Sequence, residues 1–151
     1  QDGDFTLWES NSIIRYLVAR FEGSHLYPAD PRERARIDQW LDWQPAELNR
    51  SWSYPLMALV RKSPDYQDPD ALAAGCQAWS RNMQILDRQL QKTGAYVSGE
   101  RFSLADIPIG LSVNRWFETP LNHPHLPAVN AYYERLSERP GYLLYGRNGT
   151  P

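Results

Sequence analysis

The sequence predicts a mainly helical chain: apolar residues recur at spacings of three and four along most of its 151 residues, three segments open on helix-capping signals, and one short run is strand-like. With 42% hydrophobic and 23% charged residues it reads as a globular rather than a disordered chain, and this length can bury a core without disulfide or metal staples. Sixteen Lys plus Arg against 18 Asp plus Glu leave a net charge of −2, which gives no whole-chain attraction to nucleic acid or anionic lipid. Cys76 is the sole cysteine, and His25, His123 and His125 form no cluster with it at ligand spacing, so no metal is expected and a reducing, cytoplasmic location is favoured. No apolar run approaches the roughly 20 residues of a membrane span, and no cleavable apolar segment opens the chain, so no membrane partner is expected.

The opening Asp2-Gly3 is a turn signal and Phe5-Thr6-Leu7-Trp8 is β-prone, which reads as the second half of a hairpin. An isolated strand cannot satisfy its own backbone groups, so its partner is expected from sequence upstream or from another chain. The first helix follows over residues 11–21, carrying Ile13, Ile14, Leu17, Val18 and Phe21 at helical spacing, with Gly23 as its stop. Arg15 projects away from that apolar set, toward either a dimer interface or an acid on the next helix.

Asp30-Pro31-Arg32-Glu33 combines an N-cap aspartate, a proline at the first helical position and an acid at the third. The helix it starts carries Ile37, Trp40, Leu41, Leu48 and Trp52 and runs to about Lys62, with kinks expected at Pro45 and Pro55 because each removes a backbone donor. After a loop over residues 63–69, Asp68-Pro69 repeats the cap. Leu72, Cys76, Trp79, Met83, Leu86 and Leu90 then form one apolar stripe that Gly94 closes. Phe102-Ser103-Leu104-Ala105-Asp106-Ile107 reads as a capping box with a hydrophobic staple, Ser103 being the N-cap of a helix that reaches about Phe117 and bends near Pro108. A proline-rich loop over 118–127, a helix from Pro127 to about Arg139 and a short tail segment from Tyr142 to Tyr145 complete one strand and about six helices.

Glu9-Ser10 stands where the strand meets the first helix. The leading amides of a helix are unsatisfied and carry partial positive charge, so they attract a carboxylate; Ser10 adds a hydroxyl donor and Glu9 an acceptor for an ammonium. Together they suit a zwitterionic α-amino acid, although an ordinary serine cap beside a solvated acid has the same sequence.

The run Asp2-Gly3-Asp4-Phe5-Thr6-Leu7-Trp8-Glu9-Ser10-Asn11-Ser12-Ile13-Ile14-Arg15-Tyr16-Leu17 resembles the end of the thioredoxin-like domain of cytosolic glutathione S-transferases, and Phe102 to Ile107 resembles the capping-box segment of their all-helical C-terminal domain. The order of helices and the Leu136-Ser137-Glu138-Arg139-Pro140 ending are similar to bacterial members. The resemblance implies two parts: residues 1–23 as the last strand and helix of a thioredoxin-like, glutathione-binding domain, and residues 30–151 as the all-helical domain.

It implies a detoxifying transferase in which the glutathione thiolate attacks an electrophilic small molecule, with glutathione as co-substrate and a homodimer as the usual assembly. Carried over by position, Glu9 and Ser10 hold the γ-glutamyl end of glutathione. Ser103 and Asp106 match structural positions. The electrophile pocket would draw on Trp43, Glu47 and Tyr54 of the long helix and Trp116 of the capped helix, although aromatics of this kind also build cores. Family members place the thiol-activating residue in a loop after the first strand, a region with no counterpart in this sequence, so no catalytic residue is assigned and this chain alone is expected to be inactive or nearly so. Cys76 lies on an apolar stripe and is no substitute. The alternative is a transferase-like domain retained as a non-catalytic binding or assembly module.

Overall fold

A computed structural model of the chain describes residues 1–21, 23 and 25–151. The helices are α1 (Ser10–Arg20), α2 (Pro31–Trp43), α3 (Asn49–Pro55), α4 (Pro69–Thr93), α5 (Asp106–Glu118), α6 (Pro127–Ser137) and α7 (Pro140–Tyr145). Wide, π-helical turns at Gln44–Leu48 and Leu56–Val60 join α2 and α3 into one long helix and extend it to Val60.

The expected strand does not form among the described residues. Asp2 and Phe5 exchange backbone hydrogen bonds at 2.9 and 3.1 Å across a turn at Gly3, and pairing stops there because residues 6–8 have no second strand beside them. The long helix is also not simply kinked at its prolines. Pro45 lies inside the first wide turn and Pro55 immediately precedes the second, where Asn49 and Arg61 donate to carbonyls five residues back, on Gln44 and Leu56.

Both aspartate caps form as the spacing predicts. Asp30 accepts from the N–H groups of Arg32 and Glu33, and Asp68 from those of Asp70 and Ala71. Gly94 ends α4 at φ 77°, a left-handed position where its N–H reaches the Leu90 carbonyl and a side chain would be strained. The start of α5 differs from a reciprocal box. Ser103 donates both its N–H and its hydroxyl to Asp106 at 2.8 Å, and the Asp106 and Ile107 N–H groups reach back three residues, to the Ser103 and Leu104 carbonyls, in a tight first turn. The N-terminus of α6 is capped from another helix: Asp87 of α4 accepts from the N–H groups of Ala128 and Val129 at 2.9 and 3.0 Å.

The core is the stripe of α4 with the faces it meets. Trp79, Met83, Leu86 and Leu90 pack with Leu41 and Leu48 of the long helix, Ile109, Val113 and Trp116 of α5, and Val129, Tyr132 and Leu136 of α6. Burying each such side chain is worth roughly 1.5–3 kcal/mol. Trp79 and Trp116 meet edge to face at 4.9 Å in its centre. No helix among the described residues is long and apolar enough to cross a membrane.

Candidate functional site

The head of α1 differs from those of α2 and α4. Its cap position is Glu9, at φ 68° and ψ 115°, with no side chain closing the cap and no acid in the first turn. Ser10 is the first helical residue rather than the cap. The first intrahelical bond is from the Ile13 N–H to the Glu9 carbonyl at 2.9 Å, so the three amides before it have no acceptor among the described residues. The side chains of Glu9 and Ser10 are both exposed. A non-glycine residue at positive φ costs on the order of 1 kcal/mol or more, and among the described residues Lys62 is the only other one.

This strained junction is held from behind. Pro45 has no N–H to give the Leu41 carbonyl, and the Asn11 side-chain amide donates to that carbonyl at 2.6 Å instead. Arg15 pairs with Asp38 and Asp42 at 2.8 Å each, the long-helix salt bridge that was one of its two expected contacts. The Tyr27 hydroxyl donates to the Asp38 carboxylate. Tyr16 donates to Asp2 at 2.6 Å and its ring lies 5.2 Å from that of Phe5, tying the opening turn to α1.

The four pocket candidates do not converge. Trp43 is half-buried, edge-on to Trp40 at 5.1 Å. Glu47 is exposed, and its backbone carbonyl accepts from Asn82. Tyr54 accepts a hydrogen bond from the Asp68 N–H and meets Tyr66 at 5.0 Å, so it fastens the loop ahead of α4. Trp116 is 1% exposed, wedged between Trp79 and His123, and presents no face to a ligand. Of the two roles the sequence left open for it, pocket wall by resemblance or core by residue type, it takes the core in this chain. Two clefts lie elsewhere: one of about 600 Å³ between the exposed side of α5 and α7, bordered by Ile107, Leu111, Tyr142 and Tyr145, and one of about 250 Å³ bordered by His25, Arg36 and Arg101.

Other chemical groups have structural partners. His123 Nε2 lies 2.8 Å from the Trp116 carbonyl. Burial pushes the Cys76 thiol up, which keeps it in the unreactive neutral form. The Asp106 carboxylate accepts from Val97 N–H, Ser103 and Tyr132, yet burial still pushes it above the usual carboxylate range. What sequence reasoning missed is a polar seam between the long helix and α5, where Gln44 donates to Asn49 and to Ser112 at 2.8 and 3.0 Å. The polar Ser112 and the charged Arg115, interrupting the apolar run of α5, were the signal for it.

Residues 54–140 match the family described as glutathione S-transferase, C-terminal domain. Glutathione S-transferase GstB of Escherichia coli (strain K12) is 34% identical over 139 residues, covering 92% of this chain and 66% of its own length. Two structures of the theta class glutathione S-transferase from Xanthomonas axonopodis pv. citri are each 37% identical: the apo form, with a TM-score of 0.89 over 97% of this chain and 76% of that one, and the glutathione-bound form, with 0.87 over 97% and 70%. The chain thus spans just under two thirds of the curated relative's length.

Proposed function

Because the chain belongs to the glutathione S-transferase family, we propose that the protein of which it forms part is a glutathione transferase and that the head of α1 holds the γ-glutamyl end of glutathione. The observation that carries this reading is the uncapped, strained junction. Where Asp30 and Asp68 neutralise the leading amides of α2 and α4, no described residue does so at α1, so those amides and the Ser10 hydroxyl can donate to a carboxylate. Glu9, one residue earlier, supplies the negative charge for the adjacent ammonium. The glutathione-bound Xanthomonas relative supports glutathione as the co-substrate.

In the reaction, the glutathione sulfur, its proton lost, forms a bond to an electrophilic carbon while the leaving group departs with the bonding pair. No residue of this chain is assigned to activating the thiol. We divide the chain, as the resemblance implies, into residues 1–23 as part of a thioredoxin-like domain and 30–151 as the helical domain, and we expect a cytoplasmic homodimer engaged in detoxification. The exposed apolar side chains of Leu17 on α1 and Phe21 at its C-cap support association.

Isothermal titration of glutathione into the whole gene product tests the site. Glu9→Gln is expected to weaken binding by about tenfold, as loss of a charge-assisted bond does, and Ser10→Ala by a smaller factor. Unchanged affinity in both variants would remove the assignment, and the non-catalytic module would then be the better account.

A further inference from the structure

The seam between the long helix and α5 ends in charge. The Trp52 indole N–H donates to Asn49 Oδ1 at 2.9 Å, and Asn49 is itself held by Gln44, so the ring has a defined orientation. The Arg115 guanidinium carbon lies 4.3 Å from the centre of that ring. Its Nε is sealed from solvent without an acceptor, and its side chain makes no hydrogen bond or ion pair among the described residues. Burial pushes the Arg115 guanidinium below its ordinary range, and the like charge of Arg61, which closes the second wide turn, acts in the same direction. A half-buried arginine ordinarily has an acid to offset its desolvation, and here the neighbour is a second cation.

The chemistry narrows what would relieve this. With the Trp52 ring against the guanidinium and Nε sealed, its terminal N–H groups remain without a partner among the described residues, and such a pair matches a planar carboxylate in bidentate fashion. Trp52 is half-buried, and its indole is a flat apolar surface of the kind suited to an aromatic ring. We infer that Arg115, backed by Arg61 and seated on Trp52, anchors the carboxylate of an aromatic electrophile, so that the acceptors of this protein are planar and anionic. The inference names the second substrate of the transferase proposed above and rests on that reading.

Titration of 4-nitrobenzoate against its neutral analogue 4-nitrobenzamide, followed calorimetrically on the protein with no glutathione present, tests it. The carboxylate is expected to bind about tenfold more tightly than the amide. Arg115→Gln should bring the two to equal affinity, Arg115→Lys should keep part of the preference, and Arg61→Gln should reduce it about threefold. Equal affinities in the unmodified protein, or a preference that survives Arg115→Gln, would overturn the inference. Circular dichroism checks folding; if Arg115→Gln does not fold, the exposed Arg61→Gln decides, an unchanged preference counting against. Displacement of 4-nitrobenzoate by glutathione would assign the anchor to a carboxylate of glutathione and likewise overturn it. Since the titration needs no glutathione, a failed Glu9→Gln test beside an intact carboxylate preference separates the two proposals.

Discussion

Asp106 accepts four hydrogen bonds, from the Val97 N–H, the Ser103 N–H and hydroxyl, and the Tyr132 hydroxyl, all at 2.8–3.0 Å. Asparagine would keep one acceptor oxygen and turn an amide toward donors. Asp106→Asn is therefore expected to cost about 3 kcal/mol, read as a fall in Tm of roughly 6–12 °C by calorimetry. A loss below about 1 kcal/mol would mean that the carboxylate is not what organises this turn. Ser103 and Asp106 were recognisable beforehand because they stand three residues apart. Tyr132 and Val97 were not, since nothing local relates them to Asp106.

At the scale of elements, the prolines of the long helix connect rather than interrupt. Pro45 leaves the Leu41 carbonyl free, and Asn11 uses it to dock α1, the helix that presents Glu9 and Ser10. Asn11→Ala should strand a buried acceptor, cost about 1–3 kcal/mol and weaken glutathione binding together with stability. Adding Pro45→Ala should recover much of the stability, because an alanine N–H can serve the same carbonyl, while binding stays weak. A denaturant double-mutant cycle measures the coupling, and simple additivity would contradict it. This contact illustrates why the helices themselves were legible and their docking was not. The caps of Asp30 and Asp68 and the stop at Gly94 act within a few residues, whereas Asn11 with Leu41, Asp87 with the head of α6, and Arg115 with Trp52 each join residues far apart in the chain. Periodicity tells which face of a helix is covered, not what covers it. For the same reason Trp116 could not be sorted into core or pocket beforehand.

For the whole molecule, Leu17 of α1 and Phe21 at its C-cap stand four residues apart, at 43% and 67% exposure. A homodimer that covers them should sediment at twice the chain mass at micromolar concentration, and Leu17→Glu should shift the equilibrium toward monomer at least tenfold. A stable monomer in the unmodified protein would end that reading. The overall architecture of stacked helices was readable from the sequence, while the strand expected there does not form among the described residues, because a hairpin arm is a property of two segments and no described residue pairs with residues 6–8. The two wide turns of the long helix carry a last consequence. Each holds one residue more than an ordinary turn, so together they set the angular phase between the end that receives Asn11 and the end that carries Arg61. Deleting one residue from Leu56–Val60 would leave the helix intact yet swing Arg61 about 100° around its axis. In this fold, then, a single-residue deletion can act as a rotation, changing which charges face the acceptor while every side chain involved stays the same.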